Sequence, residues 1–110
     1  MLYLIKGEAI ANASMQPEQM VPMLENMIVP SLKMLANMER EKKLAGGGIV
    51  GRRGLAIILD APSNEELHKW LQALPFWGML EWKVTPLASF QTHLDGTTTM
   101  FQRMKSMVKK

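Results

Sequence analysis

The chain has no cysteine. That excludes disulfides, iron–sulfur clusters, thiolate zinc sites and a cysteine nucleophile. A cysteine-free composition is compatible with a reducing compartment, and the protein is expected to be cytoplasmic. No apolar run approaches the roughly 18 residues needed to cross a bilayer, so no membrane contact by a spanning helix is expected. The first seven residues are too short for a signal peptide and have no basic leader before them. The two histidines, His68 and His93, are too far apart to form a metal-site signature. No serine stands in a nucleophile-elbow context.

What is present describes an ordinary globular chain. Its 110 residues are 47% hydrophobic and 21% charged, which predicts one compact domain. The formal charge of +3 is carried by the tail, where Arg103, Lys105, Lys109 and Lys110 fall in the last ten residues with no acid among them. Setting those four aside leaves 9 basic against 10 acidic residues, so the body has no nucleic-acid footprint.

Positions 2–10 read as a strand. Tyr3, Ile5, Gly7 and Ala9 form one apolar face. Leu2, Leu4, Lys6 and Glu8 form the other, which turns polar halfway along. A polar connection at 12–16 leads to Pro17 and Glu18, which suit the first turn of a helix. The helical pattern runs to about Lys43, with a kink or two helices end to end expected at Pro30, because proline removes a backbone bond and crowds the carbonyl of Asn26. Met20, Met23, Met27, Met34 and Met38 make one stripe, read as core packing.

Positions 46–51 satisfy G-x-G-x-x-G literally, but a helix precedes and a strand-like run follows, the reverse of a dinucleotide fingerprint. The glycines instead suggest a helix C-cap, then a strand that something approaches closely. Positions 51–54 read as a hairpin turn and 55–59 as a central apolar strand. Ser63 and Glu66 form a capping box, with Ser63 at the cap and Glu66 reaching back. Leu67, Trp70, Leu71 and Leu74 then share a helical face that ends at Pro75, and 79–87 reads as the last strand. Beyond Ser89, a polar stretch precedes a short amphipathic helix with Met100, Phe101, Met104, Met107 and Val108 on its apolar face. Packing on a partner subunit is its expected role, ahead of contact with an anionic membrane surface or fraying.

Strand, helix, strand, strand, helix, strand is the ferredoxin-like βαββαβ order. It predicts an α+β fold with a four-stranded antiparallel sheet and helices on one face, over 1–90, and a C-terminal extension over 91–110. The bare sheet face predicts a homodimer or higher homo-oligomer.

Asp60-Ala61-Pro62-Ser63-Asn64-Glu65-Glu66-Leu67-His68, the later Leu74-Pro75, the strand through 84–87 and the opening Met1-Leu2-Tyr3-Leu4-Ile5-Lys6 together resemble the muconolactone Δ-isomerase family. The resemblance runs without a gap from about 49 to 87. It implies a dimeric α+β barrel, a cofactor-free proton transfer on a small unsaturated lactone, and a homo-oligomer. The family's second strand carries histidine, tryptophan and arginine; here the corresponding stretch is Leu44-Ala45-Gly46-Gly47-Gly48. That departure implies open space beside the sheet and a ligand bulkier than the family's own.

Lys6 and Glu8 on the first strand share a face with Glu81 and Lys83 on the last, and the fold makes those strands neighbours. A carboxylate in such a patch offers a general base, and a lysine offers a cation for a developing enolate. Lys6, Glu8 and Glu81 are therefore the candidate catalytic residues; the competing reading is an ion-pair ladder that sets sheet register. Arg52 and Arg53 are candidate anion contacts. Gly47, His68, which matches the family's helix histidine, Phe76 and Trp77 complete the candidate ligand site. The expected function is binding of a small hydrophobic aromatic or lactone-like metabolite in a barrel cavity, with cofactor-free isomerisation or cyclisation. A non-catalytic ligand-binding or assembly protein of the same fold is the alternative, as is a dimer with a side-chain-filled barrel and no ligand.

Overall fold

The computed structural model describes residues 1–10 and 16–108. Most of the polar connection expected at 12–16, and the terminal Lys109 and Lys110, lie outside the described residues. Four strands, β1 (Leu2–Ala9), β2 (Leu44–Gly48), β3 (Gly54–Asp60) and β4 (Leu80–Leu87), pair antiparallel in the order β2-β3-β1-β4. The helices are α1 (Pro17–Met23), α2 (Val29–Arg40), α3 (Asn64–Gln72) and α4 (Phe90–Val108). The expected ferredoxin-like α+β architecture is the one observed.

Alternation decides which sheet face is covered. Tyr3, Ile5, Leu55, Ile57 and Leu59 point to the helices and are buried. Against them pack Leu67, Leu71 and Leu74 of α3 and the following turn. Ser63 caps α3 by accepting a hydrogen bond from the Glu66 N–H at 3.2 Å. The reciprocal half of the expected capping box does not form; the Glu66 carboxylate points instead toward Lys69 Nζ, 3.9 Å away.

Pro30 does interrupt the first helical segment, but without dividing it. A π-helical turn, Leu24–Ile28, joins α1 to α2, and the Val29 N–H donates to the Leu24 carbonyl, five residues back. The wide turn sits where proline has no N–H to offer Asn26. It also corrects a phase error. Met20, Leu24, Ile28 and Leu32 recur every four residues, a spacing that drifts about 40° per step in a plain α-helix. The wide turn takes up that drift and brings these residues, then Leu35 and Glu39, onto one wall. The same shift undoes the methionine stripe as a core feature: Met38 packs on the core, Met20 and Met23 line a cavity, and Met27 and Met34 are exposed.

The helix also stops differently from expectation. No glycine caps it. Lys42 takes the left-handed conformation (φ 59°), and the Lys43 N–H returns to the Met38 carbonyl at 2.9 Å. The glycines belong to β2 itself. Loop 49–53 closes the hairpin to β3, with Gly51 at φ 80° and the Arg52 N–H donating to the Ile49 carbonyl at 3.2 Å.

α4 starts directly after β4 and runs much further than the short helix expected from its last residues. Ser89 caps it, its hydroxyl oxygen accepting from the Thr92 N–H at 3.1 Å. No residue of α4 is buried. The chain's radius of gyration is 19.4 Å, against about 13 Å for a compact domain of this length. α4 therefore projects from the domain.

Candidate functional site

A cavity of about 650 Å³ separates the α1–α2 wall from the sheet. It exists because β2 has almost no side chains to fill it. Gly46, Gly47 and Gly48 contribute backbone to its floor, beside Leu44, Leu55 and Ile57. Gly46 is required where it stands: its φ is +129°, and a Cβ there would collide with the Ala56 carbonyl oxygen. Gly48 is different, because a Cβ there would meet nothing closer than the Gly54 oxygen at 4.0 Å. The space beside Gly48 is therefore open.

The far end is closed by Phe76, Met79 and Leu80. Phe76 is pinned from two sides. Its N–H donates to the hydroxyl of Ser31 at 3.0 Å, and its ring meets Trp82 edge-on at 6.1 Å. Ser31 is fully buried and donates in turn to the Met27 carbonyl at 2.7 Å. This one hydroxyl ties α2 to the segment before β4 and fixes the helical wall against the sheet. The cavity opens to solvent along that wall, where Leu24 and Leu32 remain 38% and 48% exposed.

Two charged residues stand among the described lining residues, Glu39 of α2 and Arg53 of the hairpin loop, both exposed at the cavity's border. Arg53 is held through its backbone, whose carbonyl accepts from the Ala9 N–H at 2.8 Å. A carboxylate that can accept a proton and a guanidinium that can face an oxyanion thus border an otherwise apolar chamber.

Of the residues singled out from sequence, Gly47, Arg53 and Phe76 line this cavity. Lys6, Glu8 and Glu81 do share a face on adjacent strands, but it is the opposite, uncovered face of the sheet. They are exposed there, and the register places Lys6 across from Lys83 and Glu8 across from Glu81. Like charges oppose each other, so the pattern is not a directly opposed ion-pair ladder. Arg52 leaves the cavity for the Glu8 carboxylate, 3.1 Å away. His68 and Trp77 meet edge to face at 5.9 Å; Trp77 stacks on Trp82 and accepts a hydrogen bond at its carbonyl from the Trp82 indole at 2.9 Å. Neither His68 nor Trp77 reaches the cavity wall. His93 lies on α4.

Glu39 escaped the sequence reading, which followed the methionines. Its signal was position: it lies four residues beyond Leu35 and seven beyond Leu32. The cavity's location also differs from expectation. It forms on the helical side of the sheet, with its lining drawn from one protomer.

A sequence model of the muconolactone delta-isomerase family matches residues 1–93. The chain belongs to that family. A crystal structure of muconolactone isomerase superimposes with a TM-score of 0.63 at 22% identity, covering 81% of this chain and 90% of that one. At that identity the likeness establishes the shared fold. No curated protein sequence matches the chain. The family match ends at residue 93, within the first turn of α4, so most of that helix lies beyond the family's common domain. No helix among the described residues is long and apolar enough to cross a membrane.

Proposed function

We propose that this family member binds a hydrophobic, aromatic or lactone-like small molecule between α1–α2 and β2 and moves a proton on it without a cofactor, in the cytoplasm. The observation that carries this reading is the chamber of about 650 Å³ with one carboxylate and one guanidinium on its border. An aromatic ring occupies a cavity of about 150 Å³, so the space suits two or three fused rings. Glu39 is the base that takes a proton from carbon beside a carbonyl. Arg53 faces the enolate oxygen that develops and the acidic group of the ligand. Lys6, Glu8 and Glu81 are given a different role in this account. With Lys83 they form two like-charged pairs side by side, flanked by the exposed Leu2, Ile58 and Leu87. A second copy turned by a two-fold axis sets lysines over glutamates, which suits a homodimer across this face.

The test is solvent deuterium uptake into muconolactone and into the bicyclic lactone 3,4-dihydrocoumarin, followed by NMR. The wild type is expected to exchange the acidic carbon-bound hydrogens, and Glu39→Gln to do so at least about 100-fold more slowly with binding unchanged. Equal rates would remove Glu39 from the mechanism. Binding without exchange in the wild type would favour the carrier reading, which the scarcity of polar groups in the chamber also suits.

A further inference from the structure

No residue of α4 is buried against the described residues of its own protomer. Gly96, Thr97, Thr98 and Thr99 lie in its middle and together disfavour the helix by roughly 3 kcal/mol relative to alanine. An isolated helix of 19 residues is already marginal in water. Yet one side of it is patterned. Phe90, Leu94, Thr97, Phe101, Met104 and Val108 recur at spacings of four, three, four, three and four, the seam of a two-helix coiled coil. All the large apolar members of that seam are more than half exposed.

We infer that α4 is a self-association helix that pairs antiparallel with α4 of a second copy. Three features of the sequence select that occupant and that direction. An antiparallel pair centred on Thr99 stacks Phe90 on the partner subunit's Val108, Leu94 on the partner subunit's Met104, and Thr97 on the partner subunit's Phe101. Every one of the six layers then contains large apolar groups, and the small threonine faces the largest ring. A parallel pair would instead set the two Thr97 side chains against each other. Charge separates the alternatives further. Arg103 and Lys105 lie near the C-terminal end of α4 with no acid beyond Asp95, and a parallel pair would place the four cations of two copies together. The antiparallel pair moves them to opposite ends, with Lys105 beside the partner subunit's Gln91. Because α4 projects away from the sheet, this contact is separate from the uncovered sheet face and adds a second two-fold interface to each chain.

Disulfide trapping in the full chain tests the pairing, with no native cysteine to interfere. The Leu94→Cys/Met104→Cys double variant is expected to form interchain disulfides under mild oxidation. An equal mixture of the two single variants should form only the mixed pair. Each single variant alone should stay uncrosslinked, because its thiols would lie about 15 Å apart. Crosslinking of Leu94→Cys alone would show a parallel pair and overturn the direction. A double variant that keeps its helical circular dichroism and does not crosslink would overturn self-pairing altogether, as would capture of the full chain by phosphatidylserine vesicles with loss of the crosslink. Native mass spectrometry of Phe101→Glu supplies an independent reading: the assembly should fall to no more than a dimer, and an unchanged mass refutes the inference.

Discussion

Replacing Ser31 by alanine removes a single oxygen that serves two elements. In the native protein it accepts from the Phe76 N–H at 3.0 Å and donates to the Met27 carbonyl at 2.7 Å, wholly out of solvent. The Met27 carbonyl lies within a helical segment and has lone-pair capacity to spare. The Phe76 N–H has no substitute acceptor once the hydroxyl is gone. Leaving a buried donor unpaired costs about 1–3 kcal/mol, so Ser31→Ala should destabilise the protein by about 2 kcal/mol. For a domain of this size that lowers the thermal midpoint by about 8–16 °C. The assay is urea or thermal unfolding at one fixed protein concentration, since self-association would otherwise shift the midpoint. Ser106→Ala, on the exposed α4, should change stability by less than about 0.5 kcal/mol. A Ser31→Ala loss as small as that of Ser106→Ala would refute the reasoning, because it would mean that α2 is held over the sheet without this hydroxyl.

Gly46→Ala should destabilise the β2–β3 pairing by about 2–3 kcal/mol, from the left-handed backbone and the collision with the Ala56 oxygen, measured by urea unfolding and amide exchange in β2. Lys6→Glu with Lys83→Glu makes the uncovered sheet face wholly acidic and should lower the assembly's mass in light scattering. Adding Glu8→Lys and Glu81→Lys, with Arg52→Glu to keep the ion pair at position 8, inverts the whole pattern and should restore the mass, since inverted rows still complement their own copy.

The fold was legible because its signals are local and repeated. Two-residue alternation in β1 separated its apolar face from its partly polar one, the apolar run of β3 marked a central strand, and the cap at Ser63 placed α3. The family resemblance agreed with both. The cavity was legible only in part. The glycines of β2 announced missing side chains, but their opposite consequences at Gly46 and Gly48 depend on strand pairing. Glu39 shares a plain helical face with Leu32 and Leu35, but the π-helical turn before α2 decides that this face, and not the methionine one, meets the cavity. The charges on β1 and β4 were correctly placed on one face. That they oppose like with like follows from the register, which strand composition alone does not fix. Ser31 was invisible for a simpler reason: a serine mid-helix looks the same whether it faces water or bridges two elements.

The central claim is that space left by the β2 glycines is the ligand site. Titration with 8-anilinonaphthalene-1-sulfonate, an aromatic anion, measures it directly through the dye's fluorescence. The wild type should bind one dye per protomer. Gly48→Leu, whose Cβ would come no closer than 4.0 Å to the β3 backbone, should keep the fold and lose at least tenfold in affinity. Equal binding by the two proteins would place the dye elsewhere and contradict the account.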